Sequence, residues 1–296
     1  MKHTNDSTTR RGGDGRLLLA ALALMAVATV LVATPSGAAQ ASYAGQWTLE
    51  LRPGKALMML HFSEGRGMHN TTFSVSPADL RGLDAQAGET ARFQLLRDAG
   101  TFDCEGYFRD GRGAGTYTFV ASADYVQRLL ALGFEAPSPE AHLKLALSNV
   151  TLAFVEELKV QGYEDLTTHQ LVRMGTHGVD LEYVRGLRAA GYRLTSAAAL
   201  VRMHDHGVTL EVIAELAELG YANLPADQLV RVVDHGVRPS YIREMQALGY
   251  RDLAIDDLVR MRDHGVTAQF ARDASAKAGR TLTPRELIRK RDHGEE

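Results

Sequence analysis

The chain contains one cysteine, Cys104, so it can form no disulfide with itself. In an oxidising compartment such a thiol must be buried or bonded to another chain. An excess of basic charge is also missing. With 33 Lys/Arg against 36 Asp/Glu the formal net charge is −3. Residues 1–41 hold four of the basic and two of the acidic residues, so the remainder stands at −5. Nucleic-acid modules usually carry a basic face, and a nucleic-acid partner is therefore not expected. No second long apolar run follows Ala33, which predicts no membrane span once the N-terminal segment is removed. The signatures H-E-x-x-H, G-x-S-x-G, P-loop, C-x-x-C and EF-hand are absent as well. No two carboxylates stand out as an acid/base couple. No catalytic residue, metal ligand or cofactor is expected, and the protein is not expected to be an enzyme.

What the chain does have is enough apolar residue, 45% of 296 with 23% charged, to bury a sizeable core. Arg10, Arg11 and Arg16 precede an apolar run from Leu17 to Ala33, and Ala39-Gln40-Ala41 then offers small residues at a cleavage site. That order is an export signal, predicted to occupy residues 1–41 and to send the chain to the periplasm or outside the cell. Retention as an anchor is the alternative, since a run of about 17 residues approaches the minimum for a span.

Residues 121–294 repeat with a period of 29. His177, His206, His235, His264 and His293 keep it, as do Gly162-Tyr163, Gly191-Tyr192, Gly220-Tyr221 and Gly249-Tyr250. Six units follow without a gap: 121–149, 150–178, 179–207, 208–236, 237–265 and 266–294. Such self-similarity predicts stacked supersecondary units. Each unit reads as two short helices. Ser122, Thr151, Asp180, Thr209 and Thr267 suit the N-cap of the first. In unit 208–236, Val212, Ile213, Leu216 and Leu219 line one face of that helix, and Leu229, Val230 and Val233 form the stripe of the second. Thr283-Pro284-Arg285-Glu286 combines a capping box with proline at the first helical position. The last unit is degenerate and polar, with Ala278-Gly279 where others have Gly-Tyr, as a terminal unit that stops further stacking should be.

The recurring histidine invites a metal-site reading, but one His per unit cannot converge on an ion. Neighbouring helices pack about 8–10 Å apart, whereas zinc ligands lie about 2.0–2.1 Å from the metal. Gly178, Gly207, Gly236, Gly265 and Gly294, with Asn149 in the first unit, instead suit the left-handed residue that ends a helix. His177, His206, His235, His264 and His293 are then predicted to be helix C-caps whose rings bond the last carbonyls. A second series, Lys144, Arg173, Arg202, Arg231, Arg260 and Arg289, follows the buried Leu-Val pair. It predicts helix-surface cations, paired four residues back with Glu140, Asp227 or Asp256 in three units, or an arginine stripe that captures an acidic partner. Gln127, Glu156, Arg185, Ala214 and Arg243 vary between units on the outer face of the first helices. They join the arginines as candidate partner-binding positions.

Residues 42–120 read as β-rich. Trp47, Leu49 and Leu51 alternate onto one face in "QWTLELR", and "ALMMLHF", "TTFSV" and "ARFQLLR" are further strands. In "GTFDCEGYFRDGRGAGTYTF" a two-residue Asp110-Gly111 turn places Phe108 opposite Gly113, Gly106 opposite Gly115, Cys104 opposite Tyr117 and Phe102 opposite Phe119. Aromatics, glycines and cysteine then share one face, and Asp103, Glu105, Thr116 and Thr118 the other. A slip of one residue would scramble that partition. Cys104 is accordingly expected to be a buried small hydrophobe, although the glycines could instead leave room for a ligand.

The repeat, with its "GY…LVR…HG" pattern, resembles helical repeats of secreted or membrane-tethered bacterial proteins. Some of these are similar to the sensor portions of BlaR-like regulatory metallopeptidases. The strand motif "AGTFDCEGYFRDGRGAGTYTF" resembles part of the same arrangement. The zinc motif and transmembrane helices of those peptidases are absent, so the resemblance implies an interaction role in the envelope and no proteolysis. The expected fold is α+β: a small antiparallel β-rich domain followed by an α-solenoid of six two-helix repeats, about 50–60 Å long at 8–10 Å per unit. The expected role is that of an exported scaffold binding a protein or peptide partner. A sensor that takes a small ligand or peptide through the β domain is the alternative, and a hydrolase with an unrecognised site the third.

Overall fold

The computed structural model describes residues 43–53, 55–64, 67–84, 90–163 and 166–294. The leader expected over residues 1–41 lies outside them. The first half forms one sheet of seven strands: β1 (Tyr43–Arg52), β2 (Lys55–Glu64), β3 (Gly67–Val75), β4 (Leu80–Arg81), β5 (Thr90–Arg97), β6 (Gly100–Arg109) and β7 (Arg112–Ala121). Their order is β3-β2-β1-β7-β6-β5-β4, and every neighbouring pair is antiparallel. The first strand therefore lies between β2 and β7, with Trp47 facing Leu60 on one side and Gly115 on the other. Trp47 and Leu49 are buried while Gln46 and Thr48 are exposed, the alternation a half-covered strand needs.

The β6–β7 hairpin has the expected register. Phe102 faces Phe119, Cys104 faces Tyr117, Gly106 faces Gly115 and Phe108 faces Gly113. Asp110 and Gly111 both take positive φ, 51° and 77°, as a tight turn matched to strand twist requires. The facing glycines answer a steric need. A Cβ on Gly115 would stand 2.0 Å from the Glu105 carbonyl oxygen, so the strands could not approach as they do. Cys104 is buried, as expected, and forms no disulfide; its thiol donates to the Phe102 carbonyl at 3.6 Å.

Twelve helices follow among the described residues. The odd-numbered ones are α1 (Ala123–Ala131), α3 (Leu152–Val160), α5 (Leu181–Ala189), α7 (Leu210–Glu218), α9 (Pro239–Ala247) and α11 (Ala268–Ala278). The even-numbered ones are α2 (Pro139–Leu147), α4 (Thr168–Thr176), α6 (Ala197–Asp205), α8 (Ala226–Asp234), α10 (Ile255–Asp263) and α12 (Pro284–Asp292). Each packs against the helix two places later, α1 on α3 and so on to α11, and α2 on α4 and so on to α12. Ser122, Thr151, Asp180, Thr209 and Thr267 cap as expected, each side-chain oxygen accepting an amide N–H three residues on. The capping box at Thr283 and Glu286 forms. Helix ends are closed by the expected left-handed residues, Gly207 at φ 73° and Asn149 at φ 49° among them. At Gly207 the Val208 amide donates to the Met203 carbonyl at 3.0 Å, so an orphan carbonyl is satisfied. In α8 the buried stripe differs from expectation by one residue: Val232, not Val233, is fully covered. In the last unit the glycine comes one residue late, at Gly279, and α11 runs to 11 residues where the others have nine.

One hydrophobic core passes from the sheet into the helices. Where they meet, β6 and β7 pack on α2. The Ala99 carbonyl there accepts the Ser122 amide at 3.0 Å and contacts Nε2 of His142 at 2.6 Å. A carbonyl can only accept, so Nε2 carries the proton. His142 is 5% exposed, and its ring stacks on Tyr125 and meets Phe119 edge-on. Burial holds the imidazole below its ordinary pKa. Asp98 completes the junction by accepting the Leu152 amide at 2.9 Å, at the start of α3.

Candidate functional site

A period of 29 residues brings the same residue to the end of every even-numbered helix from α4 onward, and the ends of neighbouring helices lie side by side. His177, His206, His235, His264 and His293 occupy those C-caps. Their rings do not turn back onto the last carbonyls, in contrast to the sequence-based expectation. Nδ1 of His177 lies 2.8 Å from Asp205, that of His206 2.6 Å from Asp234, that of His235 2.5 Å from Asp263 and that of His264 2.8 Å from Asp292. Each ring thus reaches the last residue of the next even-numbered helix, a stronger acceptor than a backbone carbonyl. In the first unit Ser148 takes the place of the histidine and bonds Thr176 at 3.0 Å. The aspartates went unassigned in the sequence, although the recurring Asp-His dipeptide carried the signal.

The arginines behave alike. Lys144 pairs with Glu140 four residues back, as expected. Asp227, however, pairs with Arg202 of the preceding unit and not with Arg231, and Asp256 pairs with Arg231 and not with Arg260. Arg260 turns to Asp257 at 2.9 Å. Asp227 and Asp256 sit in the first turns of α8 and α10, where the helix dipole favours an anion. A long guanidinium on the neighbouring helix reaches them there. Arg173 and Arg289 form no ion pair among the described residues, and both are exposed.

On the odd-numbered helices Gln127 and Ala214 are exposed. Glu156 accepts from Arg128 at 2.7 Å, Arg185 donates to Glu157 at 2.7 Å, and Arg243 donates to Glu215 at 3.0 Å. Tyrosines add buried links that the sequence reading did not assign. The hydroxyls of Tyr125, Tyr183 and Tyr241 donate to the carbonyls of Val150, Val208 and Val266, each 25 residues on. Many of the polar side chains chosen as partner contacts are therefore spent on holding neighbouring helices together.

A concave feature of the described residues lies elsewhere, where the end of β3 approaches the starts of α3 and α5. It is a groove of about 1080 Å³. One wall is Thr71–Ser74 of β3; the other runs along residues 147–151 and 175–186. Arg97 lines it at one end, with a side chain only 5% exposed. Its guanidinium lies 3.2 Å from Asp79 and over the Phe73 ring. Burial lowers the Arg97 pKa and Asp79 opposes that shift. Nothing in the sequence pattern pointed here, because the groove joins residues about 75 to 140 positions apart.

No protein-family model matches the chain, and no curated protein or solved structure is similar to it. Apart from Arg97, the groups with shifted acidity lie away from the groove lining. Burial raises the Cys104 thiol to about 12 and the Tyr183 and Tyr241 hydroxyls to about 12. Arg280 and the Thr283 capping box lower half-buried Glu286 to about 2. Among the described residues no three His, Cys, Asp or Glu side chains are close enough to share a metal ion, and no helix is long and apolar enough to cross a membrane.

Proposed function

We propose that this is an exported, non-enzymatic binding protein of the cell envelope, in which a six-unit α-solenoid serves as a scaffold for a protein or peptide partner. The observation that carries the reading is the recurrence of one bond at one spacing. His-to-Asp bonds repeat four times between residues 28 apart, and Arg-to-Asp pairs twice between residues 25 apart. Repeated unit-to-unit bonds of this kind suit a stiff array with an extended surface. The resemblance to repeats of envelope proteins and of BlaR-like regulators belongs to the same proposal, as does removal of residues 1–41. Exposed Arg173, Arg289 and Gln127 are the partner contacts that the internal pairs leave over.

The test uses residues 42–296 as bait on an envelope extract, followed by reconstitution with the purified captured protein. Arg173→Glu with Arg289→Glu should weaken that pair at least tenfold. An unchanged affinity would refute the array surface as the contact. The second reading, a sensor that binds through the β half, is favoured by the position of β3 along the groove. It predicts affinity that depends on β3 and is indifferent to both arginines.

A further inference from the structure

The groove wall formed by Thr71, Thr72, Phe73 and Ser74 is the edge of a strand and not its face. Successive side chains of a strand point to opposite sides, so four consecutive residues can line one cavity only if the backbone edge itself faces it. β3 stands at the end of the sheet order and pairs with β2 alone. The direction of its free groups follows from the register. The Leu51 amide of β1 donates to the Gly111 carbonyl at 2.8 Å, so its neighbour Glu50 turns its backbone groups to Leu57 of β2, and Leu57 in turn faces away from Ser74 of β3. Alternation along the antiparallel ladder then assigns the bonded pairs to Phe73–Met58 and Thr71–Leu60, and the non-bonded ones to Thr72–Met59 and Ser74–Leu57. The N–H and C=O groups of Thr72 and Ser74 therefore point away from β2, into the groove.

Natural sheets blunt such edges with charge, proline, bulges or a covering segment. The stretch Asn70-Thr71-Thr72-Phe73-Ser74-Val75 has no charge and no proline, and its register with β2 runs without a bulge. β4 does not cover it, since that strand pairs with β5. Across the groove lie Gly175 and Gly186, which let neighbouring segments pack closely, since a Cβ on either would collide, with the Ser148 carbonyl at 2.6 Å or with Leu210 at 2.2 Å. Half-buried Leu181 and Leu210 supply apolar surface on that side.

We propose that the groove binds an extended polypeptide segment of a partner, which adds to the sheet as a strand beside β3. Its main chain hydrogen-bonds Thr72 and Ser74. Every second side chain, apolar, packs on the α5–α7 wall beside Leu181 and Leu210 and the intervening ones face water, the arrangement strand addition imposes. This names the partner class for the binding function proposed above and rests on that reading.

The experiment pans the chain over residues 42–296 against a displayed library of random linear dodecapeptides. Enriched sequences should alternate apolar and polar residues, and their synthetic forms should bind saturably. N-methylation of alternate peptide amides should abolish binding, a control that leaves the protein untouched. Thr72→Pro should weaken binding at least tenfold. Because the Thr72 amide points outward, proline there spares the β2 ladder, and an unchanged Tm checks this. No enrichment, or peptides indifferent both to N-methylation and to Thr72→Pro, would overturn the proposal. A self-association broken by Thr72→Pro with no peptide binding would also overturn it, assigning the edge to a second copy of the chain. If the captured envelope partner still binds while peptides do not, strand addition fails and the scaffold reading stands.

Discussion

Replacing His142 by Phe tests how the sheet is fastened to the helices. The substitution keeps a ring of similar size between Tyr125 and Phe119 and deletes the Nε2 contact to Ala99. Because the Ser122 amide still donates to that carbonyl, the acceptor is not orphaned. The cost should be that of one net hydrogen bond, about 0.5–1.5 kcal/mol, and not the larger penalty of a stranded group. In a chain of this size that lowers Tm by about 2–4 °C per kcal/mol. The pH dependence is more diagnostic. Burial depresses the folded pKa of His142, so the native state favours the neutral ring. A second proton would have to sit on Nδ1, which has no hydrogen-bond partner among the described residues. The sign follows: the stability this group provides is complete above its unfolded pKa of about 6.5 and is lost as pH falls through the folded value. One titrating group steepens the stability curve by at most about 1.4 kcal/mol per pH unit. Asp98, which holds the Leu152 amide, is the nearby carboxylate and is present in both proteins. Urea unfolding from pH 7.5 to 5 should show the wild type losing more stability than His142→Phe, with the two curves converging at low pH. Parallel curves would refute the assignment of the junction to a neutral His142.

The ring of His235 and the carboxylate of Asp263 are about 40% exposed, so a double-mutant cycle with His235→Ala and Asp263→Ala should give a coupling of only about 0.2–1 kcal/mol. The cycle is read by chemical denaturation, and added salt should shrink the coupling. Gly115→Ala should destabilise the hairpin by about 1–3 kcal/mol or more, because its Cβ meets a backbone oxygen that cannot move without parting the strands; thermal unfolding reports it. The Cys104 thiol, raised to about 12 by burial, should resist alkylation at pH 8 in the native protein and react at once in denaturant; rapid labelling of the native state would contradict its burial.

Features legible in the sequence were those set by short-range geometry. The positive φ of Asp110 and Gly111, the side-chain alternation around Cys104 and the caps at Thr209 and Thr283 each depend on residues within a few positions of one another. The 29-residue period adds no long-range knowledge. It repeats a local pattern, and for that reason it placed the caps that open α1, α3, α5, α7 and α11. Sequence spacing failed where two distances compete. Asp227 lies four residues before Arg231, yet Arg202 on the neighbouring helix reaches it. The histidine rings, likewise, chose the carboxylate of the next helix over carbonyls of their own. Only helix-to-helix packing decides such choices, because it sets which side chains of separate units come within hydrogen-bond reach. The groove is the extreme case. Thr72 and Leu181 share a wall-to-wall space because the sheet is packed against the helices through Ala99 and His142, and no pattern within either segment encodes the distance between them.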